Sequence, residues 1–102
     1  MKPTKRGRLE AAGWRVGSAA EFLGLDAEES AFVELKVALS HSLRQWRLRQ
    51  RWTQGELAKR LRSSQSRVAK MEAADPTVSV DLLVRALFKV GAKPRDIAKA
   101  IA

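Results

Sequence analysis

The chain contains no cysteine, so disulfides and thiolate metal sites are excluded. Its single histidine, His41, lies in a helical stretch, where a lone imidazole is far more often a surface or packing group than a catalyst. No apolar run approaches the roughly 18 residues of a membrane span. The basic N-terminus is not followed by the long apolar core of a signal peptide. A nucleophile–base set, a cluster of metal ligands and a phosphate-cradling glycine loop are all missing. These absences lead us to expect a non-enzymatic, cytoplasmic protein, without metal, cofactor or membrane partner.

Basic charge, in contrast, is abundant. The 102 residues, a length suited to one domain, carry 20 Lys and Arg against 11 Asp and Glu, a net charge of +9. Such an excess favours a polyanion, because each neutralised phosphate releases condensed counterions. The charge is distributed in blocks: residues 1–17 have net +4, residues 18–40 net −4, residues 41–75 net +6 and residues 76–102 net +3. An acidic block directly before a basic one suggests two faces with two different partners.

Pro3, Gly7, Gly13 and Gly17 make residues 1–17 an irregular basic arm, with Trp14 and Val16 as its apolar exceptions. Ser18-x-x-Glu21 and Asp26-x-x-Glu29 read as capping boxes. The first opens a short helix carrying Phe22, Leu23 and Leu25. The second opens the longest helix, about 27–51, with Phe32, Leu35, Leu39, Leu43 and Trp46 at three-to-four spacing and Val33, Val37 and Leu48 near the same stripe. Thr53 with Glu56 caps a helix over 54–61, with Leu57, Ala58 and Leu61 inward. Ser64 caps a helix over 65–74, with Val68 and Met71 inward and Pro76 as its stop. Ser79 caps a helix over 80–90 (Leu82, Leu83, Ala86, Leu87 and Val90 inward), which Gly91 ends. Pro94 begins the last helix, with Ile97, Ala98 and Ile101 on one side. No strand pattern appears. The expectation is an all-α, compact helix-turn-helix domain of five to six helices with an N-terminal arm.

Two short helices joined by a tight polar turn, in a basic chain, point to DNA. Gln65, Ser66, Arg67 and Lys70 fall on the outer face of their helix toward its N-terminus, the end that a recognition helix presents to base edges. Glutamine can bond adenine, and arginine guanine, through paired hydrogen bonds. Phosphate contacts are expected to flank them. Thr53, Gln54 and Ser64 sit at helix N-termini, where free N–H groups favour an anion, and Arg51 and Arg62 add charge, as Lys59 and Arg60 could.

The pattern Arg47, Trp52-Thr53-Gln54-Gly55-Glu56-Leu57-Ala58, Ser64-Gln65-Ser66-Arg67-Val68 and Met71-Glu72 resembles the Xre-type family of phage-repressor-like DNA-binding domains over about Leu39 to Gly91. The resemblance implies base reading from Gln65 and the residues after it. It also implies a partly buried structural ion pair between Arg47 and Glu72. Two departures stand out. Arg62 occupies a turn position that is usually glycine, where a side chain has to adopt positive φ or the turn has to change shape. Ala73-Ala74-Asp75 replaces the asparagine-glycine that often ends the recognition helix.

Together with the leader Gly13 to Leu25, the chain is similar to HigA-type antitoxins over about residues 8–101. That likeness implies a repressor that neutralises a RelE/HigB-like mRNA-cleaving toxin and autoregulates its operon. An acidic, apolar surface suits a basic toxin. The candidate toxin-binding residues are Trp14, Glu21, Phe22, Leu23, Leu25, Glu28 and Glu29, within an acidic patch that also holds Asp26 and Glu34. The expected division is a basic arm over 1–17, a candidate toxin-binding segment over 18–36 and the DNA-binding domain over 37–102. A homodimer on a palindromic double-stranded operator is expected, with Phe88, Ile97 and Ile101 as dimer candidates that could instead close the core. The alternatives are a stand-alone Xre-family regulator with no toxin, and a protein-interaction inhibitor with a vestigial helix-turn-helix.

Overall fold

The computed structural model of the protein describes residues 26–102. Five α-helices, and no strand, occupy these residues: α1 (Ala27–Arg49), α2 (Gln54–Leu61), α3 (Gln65–Glu72), α4 (Val80–Lys89) and α5 (Pro94–Ile101). The arm, the Ser18–Glu21 capping box and the short helix expected there lie outside the described residues, as do Trp14, Glu21, Phe22, Leu23 and Leu25.

The chain divides into two units, Met1–Glu34 and Leu35–Ala102. Of the first, the structure describes the opening of α1. The N–H of Glu29 donates to Asp26 Oδ1 at 2.8 Å and the N–H of Asp26 to Glu29 Oε1 at 3.2 Å, which closes the capping box expected from sequence. Phe32 is 55% exposed and Val33 is exposed as well. The apolar stripe expected along all of α1 is therefore not a core stripe in its first two turns.

The second unit holds the core. Leu39 and Leu43 from α1 meet Leu57, Ala58 and Leu61 from α2, Val68 and Met71 from α3, and Leu83, Ala86 and Leu87 from α4, all buried. Val78 and Ala92, from the loops before and after α4, complete it. Val37 and Leu48 are exposed, and because 11 residues make about three helical turns the two share one solvent-facing side of α1. α5 contributes no fully buried residue: Ile97 packs partly against the core, and Ala98 and Ile101 are exposed.

The first four helices end by one rule. Past α1 the N–H groups of Trp52 and Arg51 return to the carbonyls of Arg47 and Leu48. Past α2, Ser63 and Arg62 bond Ala58 and Lys59; past α3, Asp75 and Ala74 bond Lys70 and Met71; past α4, Ala92 and Gly91 bond Leu87 and Phe88. Each is a paired closure around a left-handed residue. Those residues are Arg51, Arg62, Ala74 and Gly91, with φ of 62, 56, 54 and 107°. Hence α1 ends at Arg49 rather than near residue 51. Similarly α3 ends at Glu72 rather than 74, because Ala74 reverses the chain before Pro76 is reached.

Candidate nucleic-acid interface

α2 and α3 are set by their N-terminal caps. Thr53 is extended, its hydroxyl accepts from the N–H of Glu56 at 3.0 Å, and Glu56 Oε1 accepts from the N–H of Thr53 at 2.7 Å. Ser64 is also extended and accepts from the N–H of Arg67 at 3.2 Å. Between the two helices, Arg62 takes the left-handed conformation, one of the two outcomes that its replacement of glycine left open.

Val68 and Met71 bury one side of α3 completely. The helix period then turns Gln65, Ser66, Arg67 and Lys70 outward, and all four are exposed. Ser64, Ser66, Arg67 and Lys70 line a polar concavity with Thr77 and Val78 from the loop after α3. Thr77 is absent from the sequence-based candidates because its approach depends on how that loop folds back. Its placement is held by Asp75: the Thr77 hydroxyl donates to Asp75 Oδ1 at 2.6 Å and the Thr77 N–H at 2.9 Å. The Thr77 hydroxyl, followed by the Thr77 N–H and weaker attraction from Lys70 and Lys36, holds the Asp75 carboxyl below its ordinary value.

Behind the exposed face lies the ion pair that the resemblance implied. Arg47 Nε donates to Glu72 Oε2 at 2.6 Å and Nη2 to Glu72 Oε1 at 3.1 Å, a forked contact. The side chains are 12% and 5% exposed. Arg47 Nη1 also donates to the carbonyl of Trp52 at 2.9 Å, tying the end of α1 to the start of α2. Gln54 Nε2 donates to Glu72 Oε1 at 3.2 Å, so its amide is anchored to the same carboxylate. Beside Gln54, a second concavity brings in Arg44, an exposed cation one turn before Arg47. Sequence reasoning missed Arg44 as a site residue: it reads as one of many helix-surface arginines until α2 packs beside it.

The remaining candidates separate. Thr53, Ser64, Arg51 and Arg62 are exposed around the turn, and Gln54 is half-buried. The guanidinium of Arg60 lies 4.0 Å from the ring centre of Trp52, and that of Arg49 lies 4.7 Å from Trp46. Arg60 thus covers an aromatic face. Glu28 and Glu29 are exposed on the first turn of α1, and Phe88 and Ile101 are exposed on α4 and α5. Among the described residues no cluster could hold a metal, and no helix is long and apolar enough to cross a membrane.

No curated protein and no solved structure matches the chain. A family described as a helix-turn-helix domain does match, over residues 38–100. The match covers more than half of the sequence and contains α2, α3, α4 and the Arg47–Glu72 pair. The chain therefore belongs to the helix-turn-helix domain family, as a DNA-binding domain of the Xre type.

Proposed function

We propose that the protein is a sequence-specific transcriptional repressor that binds a palindromic operator as a homodimer. The observation that carries this reading is the outward N-terminal face of α3, where Gln65, Ser66, Arg67 and Lys70 are exposed above a rigidly seated Val68 and Met71. In this reading those four residues reach base edges in the major groove. Thr53, Gln54, Ser64, Arg51 and Arg62 contact phosphates on either side, joined by Arg44 and Thr77. Arg47 and Glu72 serve structure, since their charges are spent on each other.

One domain reads half a site, and a dimer presents two recognition helices about 34 Å apart. Phe88 and Ile101, 46% and 45% exposed, and the half-buried Ile97 are the dimer surface of this proposal. Selection of bound duplexes from a random pool tests it. An enriched inverted repeat with half-sites about one helical turn apart is expected. A pool that stays random after several rounds would contradict base reading.

A second reading adds toxin neutralisation and operon autoregulation to the same repressor. What favours it is the exposure of Phe32 and Val33 next to Glu28 and Glu29, an apolar and acidic surface of the kind a basic protein takes. Co-expression with a RelE/HigB-like toxin tests it. Growth rescue that is lost in Glu28→Lys/Glu29→Lys supports the reading, and toxicity undiminished by the intact chain removes it.

A further inference from the structure

A half-open cavity of about 220 Å³ lies among the end of α2, the outer edge of α3 and the face of α4, and shares only Arg67 with the polar concavity holding Thr77. Its apolar lining comes from Leu61, Met71, Leu82 and Ala86, three of them buried core residues and Leu82 half-buried. Four cations stand around it: Arg62, Arg67, Arg85 and Lys89, all exposed, and no acidic side chain lines it. Arg85 pairs with Asp81 at 2.8 Å, but that pair is exposed at both ends and holds the guanidinium only weakly.

An apolar pocket ringed by one sign of charge selects by two criteria. A neutral apolar molecule gains nothing from the cations, and a small inorganic anion leaves the floor uncovered. A molecule with an apolar body and an anionic head satisfies both. A dry apolar cavity of about 150 Å³ takes a benzene ring, so this one has room for a ring and a carboxylate.

We propose that this cavity is an effector site for a small aromatic or short aliphatic carboxylate, whose occupancy competes with DNA for Arg67. The competition follows from Arg67 serving two places: it lines this cavity and also the polar concavity on the outer face of α3. A carboxylate on Arg67 removes a base-reading group, and by linkage DNA weakens the carboxylate to the same degree. The competition rests on the DNA-binding reading; the binding site itself does not.

The test uses the full chain and benzoate, with benzyl alcohol and inorganic phosphate as comparisons. In the DNA-free protein, benzoate is expected to shift the Met71 methyl and Leu82 methyl resonances saturably, whereas benzyl alcohol and phosphate leave them in place. Arg85→Ala/Lys89→Ala, which changes two exposed side chains, is expected to weaken benzoate about tenfold. The site is refuted if benzoate gives no saturable shift at these methyls, if benzyl alcohol matches it, or if phosphate alone reproduces the pattern. With a duplex from the selection above, benzoate at saturation is expected to lower affinity in the wild type and to lower it less in Arg67→Ala, where Arg62 alone still serves both the cavity and the proposed DNA contacts. Unchanged affinity in the wild type overturns the competition. Failure of the chain to bind any duplex overturns the DNA reading and leaves the methyl shifts to decide the site.

Discussion

Arg51, Arg62 and Ala74 hold φ values of 62, 56 and 54°, a region that costs a side-chain-bearing residue about 1–2 kcal/mol. Only one of them was legible in the sequence. Arg62 stands where the family pattern has glycine, so its strain could be anticipated; Arg51 and Ala74 carry no such mark, because the demand for a left-handed residue arises from how the helix must end. Two of the three are arginines at the edge of the candidate DNA face, where relief by glycine would remove a charge. Ala74 has no charge to retain. Ala74→Gly is therefore expected to raise stability by about 0.5–1 kcal/mol, the relieved strain less the added entropy of the unfolded chain. Urea unfolding reads it, and a decrease in midpoint would contradict the assignment.

Asp75 sets a pH dependence at the same scale. Its carboxyl is held below the ordinary value of 3.8 by the Thr77 hydroxyl and N–H, so the ionised form is favoured in the folded state. The resulting stabilisation is full above pH 3.8 and is lost as pH falls through the lower native value. The stability difference between wild type and Asp75→Asn should stay constant from neutral pH down to that point, then shrink in acid. Urea titrations at a series of pH values check this; a difference that grows below pH 3.8 has the wrong sign.

The helix starts at residues 27, 54, 65 and 80 could be read directly, because each is announced by a side chain that caps the next turn: Asp26, Thr53, Ser64 and Ser79. The ends and the faces were harder to read. α3 stops two residues early because the closure around Ala74 precedes Pro76. Val37 reads as near the stripe of Leu39 and Leu43, yet it stands two residues from Leu39 and so turns to the opposite face, while the latter pair packs with α2, α3 and α4. Periodicity shows that a face exists; the packing of the neighbouring helices decides which residues are covered.

The Arg47–Glu72 pair is the main polar tie between elements, joining α1 to α3 and, through the Trp52 carbonyl and Gln54, to α2. Glu72→Ala leaves the Arg47 guanidinium nearly buried without its counter-charge. A loss of about 3–5 kcal/mol is expected, whereas replacing both partners with apolar residues is expected to cost far less. Equal losses in the single and double variants, measured by denaturant unfolding, would show that the charge pairing is not what matters. Ser40 offers a contrast: its hydroxyl is buried with no hydrogen-bond partner, so Ser40→Ala should be neutral or stabilising.

For the whole molecule, the fold class and the outward face of α3 were legible because binary pattern, caps and turn all pointed to one answer. Thr77 and Arg44 were not, since Thr77 reaches the candidate interface through the fold of its loop around Asp75 and Arg44 through the packing of α2 beside α1. Nor was the cavity beside α4, which needs three helices to exist. Assembly belongs to this scale as well. Ile101→Glu places a charge on the proposed dimer surface, and sedimentation is expected to show a shift toward monomer together with weaker binding to a full palindrome. An unchanged sedimentation profile would move the dimer contact elsewhere.

The central claim is that Gln65 and Arg67 read bases while the residues around the turn hold phosphates. Competition binding between a selected duplex and a scrambled one, with wild type and Gln65→Ala/Arg67→Ala over a range of salt, tests it most directly. The account predicts that the double variant binds both duplexes alike, with a salt slope within about one unit of the wild-type value. A double variant that still prefers the selected duplex as strongly as wild type would contradict it.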